Sequence, residues 1–401
     1  MKRRDLLIAA AAVLAPLPGR AANAPLKIGV LNDMSGIFAD YQGPGSVLAA
    51  QMALEDAGGH AGSRPVEIVF ADHQNKPDTG MAIARRWLDQ DGVHVIMDVP
   101  NSAIALAVGE LCTARNRVMV AIGGGTAELT GARCSPNIVQ WDYDTWEVSQ
   151  ALGRAITEGG GKTWFTLAAD YAFGADLDAN VTAAVRAAGG RVLGGVKAPF
   201  PTSDFSSYLL QAQASGAQVL ALNNAGGDTA TCLKQAAEFG LTQSMKVCGP
   251  IYNINMTHAV GLAVAAGVLG VTPYYWDAND GTRAFAKRFQ ARLPSHAMPN
   301  DMQAGAYSAT QHVIRAVASD IDVTDGRALV AAMKAVPTED VIYGPGSVRA
   351  DGRKLHPVYL VQTKKPAESR GPWDFYTILS AIPADKAFRP LADGGCPMIK
   401  S

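Results

Sequence analysis

Charge is scarce in this chain and nearly balanced. Only 18% of its 401 residues are charged, 35 basic against 36 acidic, for a formal net charge of −1. A surface that binds a polyanion needs an excess of Lys and Arg, so nucleic acid is not expected as a partner. Beyond the first two dozen residues, no apolar run approaches the ~20 uncharged residues that a membrane-spanning helix needs. Cysteine is sparse as well. Its five copies, at 112, 134, 232, 248 and 396, form no C-x-x-C, which argues against zinc ribbons and thioredoxin-like chemistry. The seven histidines are scattered, without an i, i+4 pair or an H-E-x-x-H, so no metal site is expected. No serine stands in G-x-S-x-G, the nucleophile elbow of α/β hydrolases. The glycine run "VAIGGGTAEL" (120–129) has Glu128 where a dinucleotide fingerprint needs glycine, and no G-K-[ST] follows it as in a P-loop. The reading is therefore of a non-enzyme without cofactor.

The first two dozen residues are distinctive. Lys2, Arg3 and Arg4 precede an apolar run from Leu6 to Leu17, and small residues follow at Ala21 to Ala24. This is the pattern of a secretory signal peptide over 1–24. "RRDLL" also fits a twin-arginine export signal. Removing 1–24 takes away four basic residues and one acid and leaves a net charge of −4. The expected product is exported to the periplasm. In that oxidising space some cysteines should pair. Cys112 with Cys134 and Cys232 with Cys248 are the local options, and Cys134 with Cys396 competes.

The rest of the chain repeats itself. "LKIGVLNDMSG", "PGSVLAAQMALEDAGG" and "RPVEIVFAD" are echoed by "KTWFTLAADYAFG", "ADLDANVTAAVRAAGG" and "GRVLGGVKAP". Two further strand pairs follow, from "GVHVIMDVPNSA" and "GAQVLALNNAGG", then from "NRVMVAIGGG" and "SMKVCGPIYN". Each half thus runs β-α-β-α-β-α-β. Continuous apolar strands between glycine-ended helices predict α/β lobes, doubly wound, with mostly parallel sheets. The helices of residues 282–335 are expected on lobe one, and the late strands "HPVYLVQTK" and "WDFYTILSAI" on lobe two. Three crossings between lobes result, near 139–142, 274–277 and 354–357. The boundaries are 25–141 with 276–355 for the N-terminal lobe and 142–275 with 356–401 for the C-terminal lobe. Ligands of open α/β sheets bind beyond the carboxyl ends of the strands, here the cleft between lobes.

Candidate ligand residues lie at those strand ends. Gly123, Gly124, Gly125 and Thr126 offer bare backbone N–H groups and a hydroxyl, suited to a small carboxylate; the same residues also suit a tight turn with Thr126 as helix cap. Asn101 and Ser102 end another strand, and Ser102 also suits a helix cap. Phe38 and Tyr41 in "SGIFADYQG", and Tyr171 and Phe173 in "DYAFG", either cover a ligand or join the core. Tyr143 in "QWDYDTW" and the aromatics of "PYYW" stand at crossings, where they could wall a flat apolar ligand.

Several of these segments, with "AELTG", "CSPN", "SDFSSYLLQAQASGA", "KQAAEFGL", "YWDANDGTRAFAKRF" and "GGCP", resemble periplasmic solute-binding proteins of branched-chain amino-acid-type ABC transporters. The resemblance runs from about Leu26 to the C-terminus. It is strongest to members that take aromatic acids. It implies a two-lobed, Venus-flytrap fold of the type I periplasmic class, a monomer, and a permease partner in the inner membrane. It also implies carboxylate ligands at Asn101 or Ser102 and at Gly124 and Thr126, with Tyr41 and Phe173 covering the ligand. Two departures matter. The family's acid that pairs with a ligand ammonium follows a Gly-Pro, and here Gly249-Pro250 is followed by Ile251. The family's aromatic-rich loop in lobe two is "NNAGGD", which brings in Asn224. A small carboxylate, most naturally aromatic, is the expected ligand. A branched-chain amino acid or amide, or a sensory role beside a membrane receptor, are the alternatives.

Overall fold

The computed structural model describes residues 24–318 and 321–400. Residues 1–23 of the expected signal segment lie outside the described residues. Lobe one opens with β1 (Leu26–Asn32), α1 (Gly43–Asp56), β2 (His60–Ala61), β3 (Arg64–Asp72), α2 (Pro77–Asp89), β4 (Val95–Asp98), α3 (Ser102–Ala114), β5 (Val118–Ala121) and β6 (Ile138–Gln140). The chain then enters lobe two through α4 (Thr145–Glu158), β7 (Thr163–Ala169), α5 (Ala172–Ala187), β8 (Arg191–Ala198), α6 (Ser206–Ala214), β9 (Val219–Asn223), α7 (Gly227–Glu238), α8 (Leu241–Ser244), β10 (Lys246–Ile251), α9 (Ile254–Val260), α10 (Leu262–Ala265) and β11 (Leu269–Thr272). Three helices follow: α11 (Asp280–Arg292), α12 (Asp301–Val317) and α13 (Gly326–Ala335). The ribbon β12 (Thr338–Asp340), β13 (Gly344–Val348) and β14 (Lys354–Leu355) leads to β15 (Val358–Thr363) and β16 (Tyr376–Ile382).

The two sheets are built alike. The first has the order β2-β3-β1-β4-β5-β6 and the second β16-β15-β11-β10-β9-β7-β8. In each, the first strand lies between the second long strand and the third, so the order reverses beside it. Pairing is parallel through β3, β1, β4, β5 and β6 and through β8, β7, β9, β10 and β11. Strands β15 and β16 extend the second sheet antiparallel. Burial follows position: β4, β5 and β9 are buried throughout, whereas the outer strands β3 and β8 alternate. Helices cover both faces, which is why the central strands read as unbroken apolar runs.

Helix α11 binds lobe one through Arg288 to Asp56 and Arg292 to Glu55 of α1. Helix α12 is buried along nearly its whole length. The passages between lobes are the segments after β6, after β11 and after β14. The first and third run side by side through a bridge between Gln140 and Arg353. Beside them Arg353 is fully buried, within ion-pair range of Asp144 and Glu147. Tyr343 donates to Asp142 at 2.5 Å in the same layer. These polar bonds give the hinge a fixed arrangement.

Of the pairings the sequence left open, the structure holds the long-range one. The bond joins Cys134 to Cys396, 262 residues apart. Cys112, Cys232 and Cys248 are free and buried. They are packed on α3, α7 and β10 as small apolar groups, and burial pushes the Cys112 thiol up to about 12. The disulfide brings the tail after β16 back onto lobe one, where Arg389 also donates to the Ala127 carbonyl.

Candidate functional site

A narrow chamber with a free volume of only about 10 Å³ lies between the closed lobes, at the point where each strand order reverses. Lobe one lines it with Phe38, Tyr41 and Gln42 after β1, Pro100 after β4 and Gly123 after β5. Lobe two supplies Tyr171 and Phe173 after β7, Ala225 after β9 and Ile251 at the end of β10. Tyr143, between β6 and α4, and Met302, in the first turn of α12, complete the wall. The loop after β1 is shaped by Asp33, whose carboxylate accepts from the backbone N–H of Gly36 and of Phe38 at 2.7 and 3.1 Å. That turn aims Phe38 and Tyr41 across the cleft. Tyr41 donates its hydroxyl to the Gly226 carbonyl at 2.8 Å, Gly227 N–H reaches the Ile37 carbonyl, and Phe38 meets Phe200 at 5.8 Å between ring centroids. The lobes are thus in contact over the chamber. Tyr171 stacks on Phe200 at 4.4 Å and leans on Phe173 at 5.9 Å.

Seven of the sequence-selected residues meet at this wall: Phe38, Tyr41, Gly123, Tyr143, Tyr171, Phe173 and Ile251. The other six do not line it. Asn101 caps α3, accepting from Ala103 and Ile104 N–H, and its amide nitrogen donates to Asn75. Ser102 Oγ accepts from Thr126 N–H at 3.3 Å. Asn224 accepts from Thr229 Oγ1 at 2.9 Å. Gly124 packs against α3: a Cβ there would lie 2.6 Å from that of Ala105. Gly125 gives the Tyr143 ring its place.

Thr126 has the fate that sequence least suggests. A carboxylate does sit at its hydroxyl, but the protein supplies it. Asp176 of α5 accepts from Thr126 Oγ1 at 2.6 Å, from Ala127 N–H at 2.9 Å and from Thr145 Oγ1 at 2.6 Å. An acid of lobe two thereby occupies the turn of lobe one that was expected to cradle a ligand. Thr126 also caps the following 3-10 turn.

Among the described residues, no Lys, Arg or His lines the chamber. Tyr143 donates to the Gly123 carbonyl at 2.9 Å. Burial drives the Tyr41 and Tyr143 phenols well above their ordinary value, so both remain neutral donors already spent on backbone. Among the described residues the Tyr171 hydroxyl has no hydrogen-bond partner, while its ring stacks on Phe200. Asp228 is not part of the wall: its carboxylate accepts from Thr202 N–H, and burial pushes it up to about 6. Among the described residues no cluster of His, Cys, Asp or Glu can hold a metal ion, and no helix is long and apolar enough to cross a membrane.

The geometry is a closed clamshell, aromatic inside, with its ligand space where two doubly wound lobes meet. The model of the family described as periplasmic binding protein matches residues 25–370. The chain belongs to that family. This periplasmic binding protein superposes on one from Burkholderia mallei with a TM-score of 0.91 at 40% identity, over 94% of this chain and 99% of that one. It superposes on a branched-chain amino acid ABC transporter periplasmic ligand-binding protein from Burkholderia xenovorans with a TM-score of 0.83 at 38% identity, over 93% and 99%. A solute-binding protein from R. palustris, solved in complex with benzoate, shares the fold with a TM-score of 0.81 at 21% identity, over 93% and 100%. The Leu/Ile/Val-binding protein homolog 6 of Brucella melitensis is 28% identical over 352 residues, 85% of this chain and 88% of its own. The protein is a solute-binding component of the ABC-transporter type and not an enzyme.

Gln42, Pro100, Ala225 and Met302 were not singled out from sequence. Gln42 adjoins Tyr41, and only the exact direction of that loop decides which neighbour faces inward. Met302 comes from a helix some 260 positions downstream of Tyr41, and no local signal leads to it.

Proposed function

We propose that this periplasmic binding protein captures an aromatic carboxylate and delivers it to an inner-membrane ABC permease, acting as a monomer once residues 1–24 are removed. The observation that carries this reading is the chamber wall. Five aromatic rings from both lobes enclose it, and Ile251 occupies the place where the family resemblance expects an acid for a ligand ammonium. Aromatic pairs contribute ~0.5–1.5 kcal/mol each beyond area burial. Enclosing an unpaired ammonium would cost several kcal/mol. The benzoate bound to the R. palustris protein supports the same class. A second reading, capture of a branched-chain amino acid, draws on the names of the B. xenovorans and Brucella relatives.

The test is calorimetric titration of ligand-stripped protein with leucine, phenylalanine, benzoate and 4-hydroxycinnamate. Micromolar or tighter binding of an aromatic acid is expected, with neither amino acid binding comparably. Tight binding of an amino acid and silence from both aromatic acids overturns the proposal.

A further inference from the structure

A carboxylate enclosed in this chamber needs a hydrogen-bond donor, and the wall offers few. The Tyr41 and Tyr143 hydroxyl protons are given to backbone carbonyls, which leaves the Tyr171 hydroxyl from lobe two and, in lobe one, Gln42. Gln42 is different. Its side chain is fully buried at the wall, pressed against Gly123, and its Oε1 has no partner. Its Nε2 donates to Asp98 Oδ1 beneath it. Asp98 is fully buried at the end of β4, and its other oxygen accepts from Asn32 Nδ2 at 2.9 Å. The backbone there is unusual: Asp98 and Val99 stand in succession at φ 87° and 49° without being glycine. Such conformations persist where the surroundings hold them, and they concentrate at ligand clamps.

We propose that Gln42 is the carboxylate hook of the chamber and that Asp98 is the positioning residue that turns it, so that capture of an aromatic carboxylate takes up one proton. This rests on the ligand class proposed above. With Asp98 ionised, the Gln42 N–H points down to it and the amide carbonyl faces the chamber, lone pairs toward an incoming carboxylate. With Asp98 protonated, its O–H donates to Gln42 Oε1, and the amide turned through half a revolution presents N–H to the ligand. The oxygen and nitrogen ends of an amide are nearly the same size, so the turn needs no extra room. The proton ends on Asp98 and comes from solvent as the lobes close.

The surroundings favour such a switch near neutrality. Burial raises the Asp98 carboxyl to about 7, opposed by hydrogen bonding from Asn32, Ser46 and Gln42. The charged group acting on it is Asp142, a like charge, itself bonded by Tyr343. Asn32 on β1, Gln42 and Ser46 around the start of α1, and Asp142 on the first crossing are the polar groups that face it, with Asp301 next to Asp142. A bound anion raises the Asp98 value further. Affinity is therefore full below about pH 6 and falls as pH rises through the value of the free protein.

The test uses benzoate and 4-hydroxybenzoate, both ionised carboxylates throughout the range. Titrations of the wild-type protein at pH one unit either side of about 7 should show about tenfold weaker binding at the higher pH. Calorimetry near neutrality in two buffers of different ionisation enthalpy should show net proton uptake. Asp98→Asn, whose amide N–H can donate permanently to Gln42 Oε1, should bind at the higher pH as tightly as wild type does at the lower, with no slope. Affinity independent of pH in wild type without proton uptake, or a slope that survives in Asp98→Asn, overturns the inference while leaving the ligand class intact. If neither acid nor 4-hydroxycinnamate binds at any pH, the ligand class falls and this coupling falls with it. The two-buffer measurement needs no variant, so the outcome does not depend on how Asp98→Asn folds.

Discussion

The Tyr41 hydroxyl is a single group that reports on closure, because its acceptor, the Gly226 carbonyl, belongs to the other lobe. A neutral hydrogen bond of this kind contributes ~1 kcal/mol, and its loss leaves a buried carbonyl unpaired only when the lobes are shut. Tyr41→Phe keeps the ring in the chamber wall and should weaken binding of any ligand by roughly fivefold to tenfold. Titration measures this directly, and unchanged affinity would mean that the bond does not contribute to the ligand-bound state. At this scale the sequence is legible for rings and nearly silent for polar atoms. Phe38, Tyr41, Tyr171 and Phe173 are conspicuous because loops at strand ends have little other use for them. Gln42 matters through Asp98, 56 positions away, and nothing local announces that pairing. Thr126 shows the reverse error: its chemistry was legible, but its partner was an Asp176 that looks like an ordinary surface residue of a helix.

Among elements, α5 and the glycine turn form the contact that most directly links closure to the scaffold. Asp176 joins them with three hydrogen bonds, one to Thr145 of its own lobe and two to Thr126 and Ala127 of the other. It does not line the chamber. Asp176→Ala should therefore raise the dissociation constant of every ligand by a similar factor, several-fold, while leaving their ratios unchanged. Parallel titrations with two aromatic acids check this. A change confined to one of them would mean that Asp176 reads the ligand itself. The repeating order of strands and helices was readable because apolar runs and glycine-ended helices recur in both halves, and β1 and β7 indeed sit beside the reversal of their sheets. The inward-facing first turn of α12 was not readable, because its neighbours α1 and Tyr41 lie far away in sequence and the pattern gives no register between them.

At the scale of the whole molecule, the covalent link between Cys134 and Cys396 stands out. The shared proximity of tail and glycine turn, seen also in Arg389 on the Ala127 carbonyl, shows that the link fixes an arrangement the fold already prefers. Replacing both cysteines with serine should lower stability by roughly 2–4 kcal/mol, visible as a reduced melting temperature relative to the oxidised protein. An unchanged melting temperature would show that the bridge adds nothing beyond the hinge. The local alternatives involving Cys112, Cys232 and Cys248 are not the ones adopted, because each of these residues sits in the apolar interior of a separate element. A disulfide spanning 262 positions cannot be told from such neighbours by spacing alone.

The bridge also closes residues 134–396 into a ring. All three strand passages of the hinge lie inside it, together with β6 and helices α11 to α13 of lobe one, while β1 to β5 precede it. A single cut anywhere on that ring, in either lobe or at the hinge, leaves the two pieces covalently attached until a reductant is present.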